Sequence, residues 1–309
     1  MFKERPRFDY GQARRKQTIK TTLLIVLALI LFVAIAFMSV GWKTRRGIEK
    51  KELVRLWDEG AYEQVFELSG AGLEKKPMDY LLLTSRGLAS FQLAIAQINT
   101  FDTLTYVDEC IQSLRKALQV KKAVNDGAIQ YVLGKAYYLK GAGYEDLAIQ
   151  YLEEARDLSY TAVDIPEHLG LLYASVQDYR SSVEAFSQAL ESAESDLLLA
   201  AMARSYMALD EPETAMAYLV QCIEVSRDSN TVITARLLLG EILVKAGKTE
   251  EAEAQYQAIL EEDGENADAH FQLGELYSAR GDTTRARAEW RRALRTDPTH
   301  TGARSRLGL

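Results

Sequence analysis

Residues 267–298 read A-D-A-H-F-Q-L-G-E-L-Y-S-A-R-G-D-T-T-R-A-R-A-E-W-R-R-A-L-R-T-D-P, and this stretch decides the fold. Leu273, Gly274 and Tyr277 make an apolar stripe at helical spacing, and Ala286, Trp290 and Ala293 make a second. Gly281-Asp282 between them is a turn signal, and Pro298 ends the second helix. The stretch is therefore a pair of short helices folded back on each other. Gly274, Ala286 and Ala293 leave room for a facing helix to come close, while Tyr277 and Trp290 fill the space beside them.

One hairpin of this size cannot cover its own apolar face, so copies are expected to stack beside it. A step of 34 residues toward the N-terminus takes Leu273-Gly274 to Leu239-Gly240, Gly281 to Gly247, Ala286 to Ala252 and Trp290 to Tyr256. This pattern resembles the tetratricopeptide repeat (TPR) family. The resemblance implies an all-α fold, a right-handed α-solenoid with one concave and one convex face. Seven hairpins are predicted at 46–79, 80–126, 127–162, 163–195, 196–232, 233–266 and 267–300, with a short cap after them. The second is longer than its neighbours by roughly eleven residues near 93–105, and Thr105 with Asp108 predicts a helix start there. The fifth carries about three extra residues near Ser229 to Thr231.

The chain has 309 residues and a net charge of −7, unevenly spread. Residues 1–51 hold 12 Lys and Arg against Glu4, Asp9 and Glu49, a balance of +9, which leaves −16 for residues 52–309. A basic end and an acidic body fit membrane anchoring better than nucleic-acid binding, for which the folded part should carry the positive charge; no nucleic-acid partner is expected. Cys110 and Cys222 occupy small-residue slots of second helices and read as buried core residues.

Residues 1–20 are a basic, non-periodic tail, expected to be disordered. Leu23 to Val40 carries no charge. As a helix it is about 27 Å long, and with Thr21, Thr22 and the interfacial Trp42 it reads as a transmembrane helix over 21–42. A cleaved signal ending at Ala34-Ile35-Ala36 is the competing reading, against which stands the length of the region before the apolar run. Cations flank both ends. Arg14, Arg15, Lys16 and Lys20 have no nearby acid, and long domains translocate largely regardless of charge. The expected topology is a single pass with the N-terminus in the cytoplasm. In a bacterium that means the inner membrane, with the repeats, 43–309, in the periplasm.

No catalytic constellation is legible. His168, His270 and His300 lack a second ligand at metal spacing, and there is no H-E-x-x-H, C-x-x-C, phosphate loop or G-x-S-x-G. Acid pairs such as Glu153-Glu154 and Glu250-Glu251 read as solvated outward faces. No enzyme, metal or cofactor is expected, and what remains is binding to protein partners. The family resemblance implies that the groove is lined mainly by first helices. Here it selects Leu88, Phe91, Tyr131, Lys135, Tyr138, Leu171, Arg204, Met207, Leu237 and Phe271, a surface suited to an apolar peptide or helix. The lysine, asparagine and arginine set with which some relatives clamp a chaperone tail is absent: the matching places hold Thr84 with Leu88, Val132, and Asp164 with His168.

The expected function is a membrane-anchored scaffold. Its layout is similar to that of bacterial inner-membrane proteins that assist secretion or envelope assembly, and to spirochaete TPR proteins of the periplasmic flagellar collar. A periplasmic holdase for unfolded clients and a cytoplasm-facing adaptor are the alternatives.

Overall fold

The computed structural model describes residues 50–120, 126–193 and 195–309. Among them are fifteen helices and no strand. They form two compact units that divide between residues 125 and 126. The expected membrane segment, 21–42, and the basic tail lie outside the described residues. Among the described residues no helix is long and apolar enough to cross a membrane.

The first unit contains α1 (Lys50–Asp58), α2 (Tyr62–Leu73), α3 (Tyr80–Ala96) and α4 (Thr100–Leu118). The second contains α5 (Gly127–Lys140), α6 (Glu145–Asp157), α7 (Ile165–Ser175), α8 (Tyr179–Ser192), α9 (Asp196–Ala208) and α10 (Pro212–Val225). It continues with α11 (Ser229–Lys245), α12 (Thr249–Glu262), α13 (Ala267–Ala279), α14 (Thr283–Thr296) and α15 (Thr301–Leu307). Consecutive helices pair as hairpins.

The starts of the first helices are written in single residues. Asp79, Ser195, Asp228 and Asn266 each precede a first helix and accept from the backbone N–H three residues on, filling one of the unpaired donors of the first turn. The turns repeat one backbone bond. Asp178 donates to the Tyr173 carbonyl at 2.8 Å, Glu211 to Tyr206 at 2.9 Å, Lys248 to Leu243 at 2.8 Å and Asp282 to Tyr277 at 2.8 Å. The residue before each donor is left-handed. Gly247 and Gly281 suit that slot, whereas Gln177 at φ 65° and Asp210 at φ 61° occupy it against the preference of L side chains.

Close approach within five of the hairpins comes from a first-helix glycine facing a large second-helix side chain. A Cβ on Gly274 would lie 2.5 Å from the Trp290 ring, and one on Gly240 would lie 2.4 Å from the Tyr256 ring. Gly170 faces Phe186, Gly134 faces Leu152 and Gly87 faces Leu114 in the same way. No hairpin closes its core alone. One buried cluster runs from Leu199 through Leu219, Tyr256 and Trp290 to Ala303, drawing on four successive parts of the second unit. Cys110 and Cys222 are buried free thiols within these seams.

The long second hairpin differs from its expected form. Helix α4 begins at Thr100, capped by Asn99, whose side chain accepts from the Asp102 N–H at 2.8 Å. The predicted start at Thr105 lies inside the helix, because Asn99 is the stronger cap and Thr105 turns its hydroxyl back onto the Phe101 carbonyl. The extra residues therefore lengthen both helices, to 17 and 19 residues. The extra residues at 229–231 are likewise helical and form the first turn of α11, capped by Asp228.

Candidate partner-binding groove

The first helices of three successive hairpins, α7, α9 and α11, together with α8, surround an apolar cavity of about 550 Å³ in the second unit. Leu171 and Ala174 come from α7, Leu197, Ala200 and Arg204 from α9, and Asn230 and Thr234 from α11. Small side chains make the space: where α9 carries Ala200, Ala201 and Ala208, nothing fills the gap between neighbouring helices. The Arg204 guanidinium is exposed and donates no hydrogen bond and makes no ion pair among the described residues. An apolar recess with one uncommitted cation can take an apolar side chain and hold a carboxylate beside it.

Of the groove residues read from the sequence, Leu171 and Arg204 come together here. Met207 and Leu237 are half-buried and pack against the core of the second unit. Phe271 covers Gly302 and lies 4.8 Å from the His300 ring, so it seats the terminal helix. In the first unit Leu88 is half-buried, and Phe91 is buried within the core rather than presented to a ligand. Tyr138 is half-exposed, with its ring edge-on to His168 at 4.9 Å.

Tyr131 and Lys135 are committed elsewhere. The Tyr131 hydroxyl donates to the Asp164 carboxylate at 2.8 Å and the Lys135 ammonium does so at 2.5 Å, tying α5 to the start of α7. Burial works to raise the Asp164 carboxyl, but Lys135 and Tyr131 outweigh it and hold it below the ordinary carboxylate range. Burial, and then the bond to Asp164, push the Tyr131 phenol up. Two similar ties link other hairpins. Tyr173 donates to Glu153 at 2.6 Å, which removes Glu153 from the purely solvated class, and Tyr277 donates to Glu253 at 2.9 Å.

The histidines are structural. His270 is buried, with Nδ1 2.7 Å from Glu289 and Nε2 3.3 Å from the Gly264 carbonyl. His300 caps α15, its Nδ1 accepting from the Ala303 N–H at 3.1 Å. Among the described residues no three His, Cys, Asp or Glu side chains gather as metal ligands would.

Sequence reasoning missed Leu197, Asn230 and Thr234. The first is a large apolar residue left exposed at the start of α9, a signal visible only once its helix face is known. Asn230 rides on the added turn of α11, and Thr234 lies one turn further along the same helix.

Comparison with known proteins agrees with this architecture. Models of the tetratricopeptide repeat match residues 198–229 and 237–301. No curated protein sequence matches the chain. Among solved structures, the C-terminal part of a TPR repeat-containing protein from Cytophaga hutchinsonii is similar, with TM-score 0.62 and 17% identity over 84% of this chain and 100% of that one. PilF of Pseudomonas aeruginosa is similar at TM-score 0.51 and 14% identity, over 72% of this chain and 96% of that one. At such identities the likeness is one of fold. TPR domains are generally non-catalytic scaffolds that bind peptides or protein partners. Over 198–229 and 237–301 this chain is built of tetratricopeptide repeats.

Proposed function

We propose that the chain is a membrane-anchored interaction scaffold that holds a protein partner in the α7/α9/α11 groove beside a bilayer. The observation that carries this reading is the apolar cavity lined by Arg204, which makes no ion pair among the described residues. Its ligand is an apolar segment bearing a carboxylate. The uncharged run 23–40 supplies the anchor, and tethering raises the effective concentration of partners near the membrane. The N-terminus lies in the cytoplasm and the repeats on the opposite side, which in a bacterium makes the chain part of an envelope assembly.

The test is purification of the full chain in mild detergent from its own cells, as wild type and as Arg204→Glu. A scaffold retains one partner near equal stoichiometry and loses it in the variant. Many substoichiometric clients, unchanged by Arg204→Glu, would replace this reading with the holdase. A C-terminal reporter active only in the cytoplasm would reverse the topology.

A further inference from the structure

The junction of α3 and α4 carries an exposed apolar tip. Ile98 is fully exposed, Phe101 is 80% exposed and Ile95 is 55% exposed. Three large apolar side chains at the end of one hairpin form a surface that isolated exposed residues do not. The tip also lacks cations. Residues 87–114 contain no Lys or Arg, while Asp102 sits in the first turn of α4 with its carboxylate at the surface, where it accepts from the Asn99 amide at 2.5 Å and makes no ion pair among the described residues. An apolar knob bearing an acid and no base is repelled by an anionic lipid surface and is complementary to an apolar recess with a cationic edge.

The same chain carries such a recess. The cavity of the second unit is walled mainly by alanines, leucines and the rings of Tyr179 and Phe186, with Asn230 and Thr234 on one side; its lining includes the exposed Leu197, and Arg204 there has no partner among the described residues. We propose that the α3–α4 tip of one copy docks into the α7/α9/α11 cavity of a second copy, with Ile98 and Phe101 in the recess and Asp102 against Arg204. The proposal rests on the cavity being open to a ligand, as the groove reading has it, and names a second copy as one occupant. The contact is heterologous, so copies extend into chains or close into rings. The net charge of −7 opposes association at long range, which makes the contact weak and favours it where copies are concentrated.

The experiment uses the full chain in mild detergent at physiological salt, with two readouts. The first is disulfide formation in an equimolar mixture of Ile98→Cys and Leu197→Cys proteins; the native thiols are both buried. The second is mass by light scattering across a hundredfold range of concentration. The expected result is a crosslinked pair in the mixture that neither variant alone produces. It is accompanied by concentration-dependent growth in mass that falls at least tenfold in apparent affinity in Ile98→Asp and in Arg204→Asp. The exchanged pair Asp102→Arg with Arg204→Asp should recover it. A protein monomeric throughout, or one associating equally well in Ile98→Asp, overturns the contact. So does a tip that binds phosphatidylcholine vesicles but forms no I98C–L197C crosslink. Retention of the partner captured by the wild type, measured separately, shows whether the groove reading survives that failure.

Discussion

The α3–α4 and α13–α14 hairpins make the same internal contact with different amounts of chain. Gly274 faces Trp290 sixteen residues on, and Gly87 faces Leu114 twenty-seven residues on. In both, a missing Cβ lets one helix lie against a large side chain of the next. The surplus residues of α3–α4 leave that contact intact and extend the hairpin beyond it, ending in exposed Ile98 and Phe101. The contact that must repeat is fixed; chain added between its two sides projects outward and is free to serve a partner.

The largest expected effect breaks the shorter hairpin. Trp290→Ala empties the space over Gly274 inside the shared core and should cost about 3–5 kcal/mol by chemical denaturation. Gly274→Ala should cost about 1–3 kcal/mol, because the new methyl meets a rigid indole. Gly87→Ala should cost less, about 1 kcal/mol, because Leu114 can change rotamer and alanine favours the helix. An equal cost at both glycines would mean that Leu114 is held as rigidly as the Trp290 indole.

Gln177→Gly tests the turns and should stabilise by about 1 kcal/mol, since glycine adopts the left-handed slot without strain. The tip should be indifferent: Ile98→Asp should shift stability by no more than about 0.5 kcal/mol, because nothing in the fold rests on that side chain.

Acid tests the carboxylate ties, between hairpins at Asp164 and Glu253 and within the α3–α4 hairpin at Glu109. Asp164, Glu109 and Glu253 all have carboxyls held below their ordinary values by cationic neighbours, against burial. A depressed folded pKa contributes stability that is present above the unfolded value, near about 4, and is lost as pH falls through the folded value. Stability should therefore drop on acidification below about pH 4. In Lys135→Met, Asp164 loses its main support, and the acid limb of a pH titration followed by circular dichroism should move to higher pH. An unmoved limb would show that the Lys135–Asp164 tie contributes nothing to the stack.

Much of the fold was legible because one contact repeats: the glycine slots and the facing large residues recur at a nearly constant step, which helix packing demands. The start of α4 was not, because Thr105 and Asp108 imitate a cap while Asn99 holds the position. The groove was half legible. Leu171 and Arg204 follow from the repeat register, but Tyr131 and Lys135 bond to Asp164 in the next hairpin, and such partners depend on how hairpins stack rather than on spacing. Asn230 was hidden because it rides on the added turn at the start of α11, which lengthens that helix ahead of its in-register Gly240.

The most direct test of the account is photocrosslinking in intact cells from Leu171, inside the groove, and from Val220, exposed on the second helix α10. The account predicts a discrete crosslinked product from Leu171 that disappears in Arg204→Glu while the protein stays folded, and none from Val220. Capture from Val220 alone, or capture from Leu171 that Arg204→Glu leaves unchanged, would contradict it.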